Sequence, residues 1–513
     1  MSALFVRKTV LSNSKHAGYV LGLNDPKGDA RMVATGRHKW LALALLSVVQ
    51  FMLVLDIAIV NVALPSIKVD LGFSQENLQW VISAYALVFG GFLLLGGRAA
   101  DLLGRRRMFM GGLVVFTGAS LLAALAWNEP SLIGARAIQG LGAAIIAPAA
   151  LSILMTTFSE GKERNIALGV WGAVGGFGAA AGVLLGGVFT DLLSWEWIFF
   201  LNIPVGVAAL ALAPVLLGES RDRSIRGFDA LGAVLVTGGL SAAVFGITQA
   251  NDWGWSSSRT IGVFAAAAVL LVGFVIRETR TTHPLMSFSI FRIKTVAGAN
   301  IAGFILGTAL FSMFLMLTLY MQQVLGYSPL KTGVAYIAVA GTSIVWAMVA
   351  QQLVTRVGVK PVLVTGMSLL TVGLLYFTQV SVEGSYLGDL LPGFLVIAMG
   401  MAFSFVSISI AALAGIQAKD AGLASGLINT SQQIGGALGI AVLSSVAVAH
   451  TTDAAKAGDA VPQALTSGFQ AAFWVGAGVA FVGVIASLVL IRKDELAVAP
   501  SFETEAEALA EAA

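Results

Sequence analysis

The sequence has 513 residues, of which 57% are hydrophobic and only 11% are charged. Soluble domains carry roughly 25% charged residues, so this composition excludes a chain of ordinary soluble domains. A formal net charge of +3 gives no reason to expect nucleic acid as a partner, and a chain without cysteine has no disulfides or cysteine-ligated metals. The four scattered histidines have no metal-ligand spacing, so we expect no metal and no cofactor.

The chain contains fourteen apolar segments long enough to cross a membrane, since a hydrocarbon core of about 30 Å needs about 20 helical residues. The connections are short and leave little room for a soluble catalytic domain. The predicted spans are 40–65, 78–97, 108–127, 131–157, 165–190, 196–218, 230–249, 260–277, 296–323, 332–354, 360–380, 387–412, 423–449 and 469–491. Tryptophans near span ends predict interfacial anchors: Trp40, Trp80, Trp127, Trp195 and Trp197.

The placement of basic residues supports this number of spans. With the N-terminus inside, 25 of the 30 Lys and Arg residues fall on the cytoplasmic side, and Arg136 falls within a span. Only Lys68, Arg259, Lys331 and Lys456 fall outside. This asymmetry follows the positive-inside rule, and one span more or fewer would destroy it. We therefore expect a multi-pass protein of the bacterial plasma membrane, embedded in the lipid bilayer with both termini cytoplasmic.

Two corresponding loops indicate an internal repeat. One loop follows span 2 (residues 96–108), and the other follows span 10 (residues 351–363). In each loop a Gly lies three residues after a polar residue, and basic residues follow it. Corresponding loops in spans 1–6 and 9–14 predict an all-α polytopic membrane protein of two six-helix bundles with two extra central helices. The predicted division is a cytoplasmic tail (1–38), an N-terminal bundle (39–218), a linker (219–229), the extra pair (230–277), a cytoplasmic loop (278–295), a C-terminal bundle (296–492) and a second cytoplasmic tail (493–513).

The first 31 residues are polar and lack the apolar core of a signal peptide. They are expected to be either a disordered cytoplasmic tail or sequence upstream of the true start. The acidic, Ala-rich end is expected to be a short solvated tail. We expect the protein to act as a monomer.

Five segments carry motifs in the order found in one family of transporters. They are LDIAIVNVALP (Leu55–Pro65), GGRAADLLGRRR (96–107), RAIQGLG (136–142), WEWIFFLNIPVG (Trp195–Gly206) and GLASGLINTSQQIGGALG (Gly422–Gly439). Together they resemble the fourteen-span drug:proton antiporters of the major facilitator superfamily, across residues 38–492. The resemblance implies a major facilitator-type fold, multidrug efflux by alternating access and a proton gradient as the energy source. The chain departs from the usual motifs at Ala99, Leu102, Val183 and Glu196.

Asp56 is the only acidic residue predicted deep within a span, about 14 Å below the outer surface at 1.5 Å per residue. Ionisable residues at such depth are costly and usually functional, so we expect Asp56 to couple proton movement to transport. The alternative is a static residue that holds helices together. Arg136, at about 8 Å by the same rule, is close enough in depth to contact Asp56. It is expected either to modulate the protonation of Asp56 or to form a purely structural ion pair.

Two sets of residues are candidates for conformational change. Small residues at 3,4 spacing in the fifth span predict a close helix-packing seam, which the family resemblance interprets as a hinge or seal: Gly172, Gly175, Ala179, Gly182 and Gly186. Gly187, next to Gly186, is a further candidate of this motif. The loop after span 2 contains the candidate residues of a conformational latch: Gly97, Asp101, Gly104, Arg105 and Arg106. The alternative is that the arginines are there only because the positive-inside rule keeps basic residues on the cytoplasmic side.

Polar and aromatic residues within spans are candidates for a substrate cavity: Asn61, Tyr85, Gln139, Asn429, Gln432 and Gln433. The alternative is helix–helix hydrogen bonding for Asn429, Gln432 and Gln433, and core packing or a lipid-facing position for Tyr85. No nucleotide-binding Gly-x-x-x-x-Gly-Lys-Ser/Thr loop occurs, so ATP is not the expected energy source. The sequence therefore predicts a proton-coupled exporter of neutral or monocationic amphiphilic or lipophilic molecules. A proton-coupled importer on the same fold is the alternative, and a membrane-embedded enzyme or receptor is disfavoured because no catalytic dyad is visible.

Overall fold

The computed structural model of the protein describes residues 36–74, 77–158, 162–221, 229–282, 284–285, 288–412 and 421–492. Across these residues the chain is helical and contains no β-strand. The long helices are α1 (Gly36–Leu71), α2 (Trp80–Leu103), α3 (Arg105–Ala124), α4 (Glu129–Thr157), α5 (Lys162–Leu192), α6 (Trp197–Phe200 and Asn202–Leu216), α7 (Ala230–Trp253), α8 (Ser258–Arg280), α9 (Lys294–Leu319), α10 (Pro329–Val357), α11 (Val359–Phe377), α12 (Leu391–Ala411), α13 (Ala421–Lys456) and α14 (Val461–Leu490).

Thirteen of these helices are long and apolar enough, over their described residues, to cross a membrane. The remaining one is α5, which has 31 residues, and its described apolar stretch is Ala181–Leu192. Several α5 side chains lie outside the described residues, including those at 172 and 175. The predicted all-α polytopic fold is confirmed.

Some helices extend well past the predicted spans. α1 and α13 each have 36 residues, and α13 ends at Lys456 where the predicted span ends at 449. A helix of that length is about 54 Å long, which exceeds a hydrocarbon core of about 30 Å. Hydropathy reports the part of a helix that suits lipid, whereas backbone hydrogen bonding continues through the polar residues beyond it. α6 has a short irregular turn at Leu201, where the backbone stays right-handed helical, and α9 continues as a wider π-helical turn over Tyr320–Val324.

The helices of the two halves pair in the same way. α1 packs on α5, α2 and α3 pack on α4, and α6 packs on α1 and α3. The same pairs recur eight helices later, with α9 on α13, α10 and α11 on α12, and α14 on α9 and α11. Such a recurrence is typical of a transporter built from two repeated bundles. The residue boundaries of the bundles stay a prediction.

The two halves meet along two helix pairs, α2 with α13 and α5 with α10. α7 and α8 pack on each other, and α7 lies against both α2 and α13. The extra pair therefore covers one of the two contacts between the halves. In keeping with the predicted topology, the end of the molecule with the α1–α2 connection is called the outer end, and the opposite end is called the inner end.

Candidate functional site

Asp56 and Arg136 form a buried ion pair between α1 and α4. The Arg136 Nη1 atom donates to Asp56 Oδ2 at 2.7 Å, and Arg136 Nε donates to the Val81 carbonyl of α2 at 2.9 Å. The two side chains are 0% and 1% exposed. An ionised side chain is very costly in such surroundings unless it is paired and hydrogen-bonded, and here each charge has the other as its partner. The contact is direct, in agreement with the similar depths of the two residues.

Two amide side chains complete the hydrogen bonding of the Asp56 carboxylate. Gln139 Nε2 and Asn202 Nδ2 each donate to Asp56 Oδ1 at 2.7 Å. Gln139 Nε2 also donates to Ser120 Oγ at 2.9 Å, while Gln139 Oε1 accepts from Arg136 Nη1 at 2.6 Å. Hydrogen bonds to an ionised acceptor are the stronger kind. The carboxylate therefore accepts from three donors that come from α4 and α6.

Aromatic rings surround the guanidinium of Arg136. Its Cζ atom lies 4.4 Å from the ring centroid of Tyr85 and 5.7 Å from that of Phe199. These distances allow cation–π attraction, which is stronger because all three side chains are buried. The Tyr85 hydroxyl is buried and has no hydrogen-bond partner among the described residues. The four side chains of Asp56, Arg136, Gln139 and Asn202 are together called the carboxylate cluster.

Close helix contacts hold the carboxylate cluster in place. A Cβ atom at Gly140 would lie 2.5 Å from the Tyr85 carbonyl oxygen, and one at Gly206 would lie 2.0 Å from Thr117 Oγ1. Only glycine fits at these two positions, so α4 lies directly on α2 and α6 directly on α3. The cluster is thus built on packed helices, where positions are better fixed than on loops.

The segment WEWIFFLNIPVG docks α6 on α1 through two acidic residues. Trp195 Nε1 donates to Asp70 Oδ2 at 2.9 Å near the outer end, and Asn202 donates to Asp56 deeper in the molecule. Trp195 is only 4% exposed, so the prediction of an interfacial anchor is wrong for this residue. Asn202 and Ser120 were missed as site residues, although an asparagine within an apolar motif was a usable signal for Asn202.

The latch candidates lie at the inner end of α2 and α3. Arg105 Nε donates to Asp101 Oδ1 at 2.9 Å, and Ser152 Oγ of α4 donates to the same oxygen at 3.2 Å. Gly97 packs against Pro148 of α4, where an added Cβ would lie 3.3 Å away. All these contacts are made within the N-terminal half. Release of Asp101 in another conformation stays a prediction.

Glu219, which no sequence motif indicated, connects the latch to the end of α6. Its Oε1 and Oε2 atoms accept from the backbone N–H groups of Arg106 and Arg107, each at 3.2 Å. Gly104 has φ of +112°, and a Cβ there would lie 2.8 Å from Glu219 Oε1. A carboxylate at this position satisfies free N–H groups and complements the positive end of the α3 dipole. Glu219 is thus a distant N-terminal cap for α3.

The seam of small residues on α5 faces two neighbours. A Cβ at Gly182 would lie 2.7 Å from Ala58 Cβ, and one at Gly186 would lie 2.7 Å from the Ile59 carbonyl oxygen of α1. Gly187 faces the other half instead, 2.6 Å from the Pro329 carbonyl oxygen of α10 by the same measure. The surroundings of Gly172 and Gly175 lie outside the described residues. α5 therefore packs closely on the turn of α1 that carries Asp56 and also contacts the other half of the molecule.

The six cavity candidates occupy separate places. Tyr85 and Gln139 belong to the surroundings of Asp56, whereas the Asn61 amide donates to the Ile57 carbonyl of its own helix at 3.1 Å. On α13, Asn429 is exposed, Gln432 packs on α9, and Gln433 packs against Gly90 of α2. The Gln433 Nε2 atom is buried without a partner among the described residues. Their role in substrate binding stays a prediction.

A cavity of about 620 Å³ opens at the outer end between the two halves. Its lining includes Asp70, Glu196 and Tyr327, and Gln322 of the C-terminal half donates to the Val62 carbonyl at 2.9 Å beside it. Partial burial and then the charge of Asp389 raise the pKa of the Tyr327 hydroxyl, so this group stays protonated at neutral pH. Within the described part of the chain, no three His, Asp or Glu side chains are grouped to hold a metal.

Comparisons with known proteins agree with the motifs. A family model described as Major Facilitator Superfamily matches residues 46–440. The cephamycin export protein CmcT of Amycolatopsis lactamdurans is 38% identical over 416 residues, which cover 80% of this chain and 85% of that protein. The puromycin resistance protein pur8 of Streptomyces alboniger is 36% identical over 462 residues, which cover 88% of this chain and 92% of that protein.

The fold resembles that of solved transporters at low sequence identity. A crystal structure of the nucleoside transporter NupG matches with a TM-score of 0.63 and 14% identity, covering 88% of this chain and 100% of that one. At this identity the likeness supports the fold alone. The family model covers most of the chain, and the relatives match over most of their length. The chain therefore belongs to the Major Facilitator Superfamily, a family of membrane transporters and not of enzymes.

Proposed function

We propose that this protein exports small amphiphilic or lipophilic molecules, of the kind found among antibiotics, across the bacterial plasma membrane in exchange for protons. Relatives that match over most of the chain are named for cephamycin export and for puromycin resistance. The observation that carries the proposal is the buried Asp56 carboxylate with its three donors. A titratable group in such surroundings is suited to exchange a proton as access alternates.

The proposed coupling uses the charge of Asp56. The ionised carboxylate holds Arg136, Gln139 and Asn202, and protonation removes the charge that makes these hydrogen bonds strong. α1, α4 and α6 then lose part of what holds them together near Asp56. Because α5 contacts both α1 and α10, a shift of α1 is transmitted to the contact between the halves. Each proton that enters along a potential of 100 mV supplies about 2.3 kcal/mol.

Inverted membrane vesicles from a bacterium without its own drug exporters test the proposal. Energised vesicles with the protein are expected to accumulate ethidium or puromycin and to release protons when either is added. Asp56→Asn should abolish both signals while the protein still inserts into the membrane. Accumulation at the normal rate by this variant would contradict the proposed role of Asp56.

The direction of substrate movement distinguishes an exporter from a proton-coupled importer on the same fold. In inverted vesicles an exporter accumulates its substrate, whereas a proton-coupled importer does so only in right-side-out vesicles. We expect neutral or singly charged substrates to be moved best, because Asp56 is the only carboxylate near the middle of a described helix span.

A further inference from the structure

We infer that Asn202 is a positioning residue for proton transfer, whose side-chain amide serves both protonation states of Asp56. This inference rests on the proposed function, in which Asp56 carries the exchanged proton. The amide Nδ2 atom lies 2.7 Å from Asp56 Oδ1 and 3.5 Å from Ser120 Oγ, and the Asn202 side chain is fully buried.

The position of Asn202 follows from the path of α6. The backbone stays right-handed helical through Leu201, and Asn202 comes directly after it. One turn further, Gly206 lies so close to Thr117 that any larger side chain would push α6 away from α3. Trp195 holds the outer side of the segment on Asp70. These contacts hold the backbone at Asn202, and rotation about the Cβ–Cγ bond exchanges the places of Nδ2 and Oδ1 without moving that backbone.

Gln139 and Asn202 both donate to Asp56, but only Asn202 is free to invert. Both ends of the Gln139 amide are engaged, because Oε1 accepts from Arg136 while Nε2 donates to Asp56 and Ser120. Inversion of Gln139 would place its N–H group against the guanidinium. Asn202 Oδ1, in contrast, is buried and has no partner among the described residues. Inversion of Asn202 therefore sacrifices no hydrogen bond at its oxygen.

This difference suits a carboxyl group that changes between acceptor and donor. An ionised carboxylate only accepts hydrogen bonds, whereas a protonated one also has an O–H group that needs an acceptor. With Asn202 as found, Nδ2 donates to the ionised Asp56. After a half-turn of the amide, Oδ1 lies where Nδ2 was and accepts from the protonated Asp56, with no movement of the helix.

Few other groups can take this role. The titratable or charged groups that face Asp56 in the described residues are Arg136 of α4 and, beyond it, Tyr85 of α2. α3 contributes the Ser120 hydroxyl, which donates to the Phe116 carbonyl at 2.8 Å. α5 presents glycines to this turn of α1. An acceptor for the proton of Asp56 is thus best supplied by Asn202.

Infrared difference spectroscopy of the purified protein in lipid measures Asp56 without any substrate. The carboxylic C=O band that titrates with pH and disappears in Asp56→Asn reports the protonation of this residue. For Asn202→Leu, we expect the midpoint of this band to move by about one pH unit toward alkaline pH, because one donor to the ionised form is lost. The position of the band should also change, since the acid form loses its acceptor.

Two further variants make the test specific. Asn202→Asp keeps the shape but places a second carboxylate beside Asp56, so the midpoint should move further in the same direction. Asn300→Leu is the matched control, because Asn300 is a buried asparagine of α9 that donates to its own helix at Val296 and accepts from Ser431. The control should leave both the midpoint and the band of Asp56 unchanged.

The outcomes separate this inference from the proposed function. An Asp56 band that titrates in the wild type and is unchanged in both Asn202 variants overturns the inference alone. If the wild type shows no titrating band that depends on Asp56, the proposed function fails and the inference fails with it. Three results together support both proposals. The band shifts in the Asn202 variants, gradient-driven ethidium transport is at least tenfold slower, and ethidium exchange is retained in the absence of a gradient.

Discussion

The two halves of this transporter share one packing plan but differ in chemistry at corresponding positions. Their registers can be matched through glycines that meet the neighbouring helix in the same way. On α5 and α13, the glycines lie against backbone carbonyls of α1 and α9: Gly182 on Leu55, Gly186 on Ile59, Gly435 on Phe304 and Gly439 on Thr308. On α3 and α11, Gly112 lies against the Gly142 carbonyl and Ile146, and Gly366 lies against the Gly400 carbonyl and Ser404.

This register gives four polar residues of the N-terminal site an apolar counterpart. Asp56 corresponds to Ile305, Arg136 to Phe394, Gln139 to Ile397 and Ser120 to Leu374, and all four counterparts are buried. Phe394 packs among the rings of Tyr336, Phe377 and Tyr386. The same backbone arrangement is therefore stable with either a charged or an apolar centre. We therefore expect the charges of the N-terminal cluster to serve transport and not folding.

The largest effect is expected when the charged centre loses one partner. Arg136→Met should leave the Asp56 charge buried and unpaired, lower the free energy of unfolding by about 3–5 kcal/mol and abolish gradient-driven export. The double variant Asp56→Asn, Arg136→Met makes the centre neutral, like that of the C-terminal half. It should regain most of the stability without regaining transport. Thermal unfolding in detergent and vesicle transport measure the two effects.

If the double variant is as unstable as the single one, the N-terminal half depends on its charges for folding. That result would contradict the interpretation drawn from the apolar counterparts. Transport by the double variant would contradict the proposed coupling.

A smaller effect is expected at the corresponding glycines Gly182 and Gly435. An added Cβ would lie 2.7 Å from Ala58 Cβ at Gly182, and 2.1 Å from the Phe304 carbonyl oxygen at Gly435. Substitution by Ala should lower stability by about 1–3 kcal/mol at either site, and more at Gly435 because the obstacle is backbone and is nearer. Gly182→Ala alone should also slow export, since it displaces the turn that carries Asp56.

The two glycine variants are compared by plotting the loss of export rate against the loss of stability. If export slows in Gly182→Ala and in Gly435→Ala in proportion to the stability that each variant loses, the α5 seam has no special link to Asp56.

A difference in helix capping between the halves predicts an effect of about 1 kcal/mol. The N-terminus of α3 is capped by Glu219, while α11, its counterpart, begins after Gly358 with no side-chain cap from the described residues, which end at Arg492. Glu219→Ala should lower the unfolding free energy by about that amount, and Glu219→Gln by less, because an acceptor oxygen remains. Thermal unfolding at low and high salt measures the loss, which should shrink as salt screens the charge. A loss independent of salt would contradict a charge-based cap.

Sequence patterns were sufficient for the fold and for three of the four residues of the carboxylate cluster, since Gln139 was already a cavity candidate. Hydropathy and basic residues predict the helices because lipid imposes a length and a charge rule on each of them. Asp56 and Arg136 stand out because charges are rare at their depth. Asn202 and Ser120 do not, since uncharged polar side chains are common in membrane helices, and their role depends on how α3 and α6 are placed. Glu219 was missed because it caps a helix more than a hundred residues away.

The smallest effects are expected from two buried tyrosines, one in each half. Tyr85 presents its ring to Arg136 but its hydroxyl has no partner among the described residues, so Tyr85→Phe should keep the cation–π contact and change stability by less than about 0.5 kcal/mol. The Tyr336 hydroxyl donates to the Phe314 carbonyl and lies 3.0 Å from Thr318 Oγ1. Tyr336→Phe should therefore cost about 1–2 kcal/mol, because it leaves buried partners unsatisfied. Thermal unfolding compares the two, and a Tyr85→Phe protein with normal stability but impaired export would show that this free hydroxyl contacts the substrate or the proton.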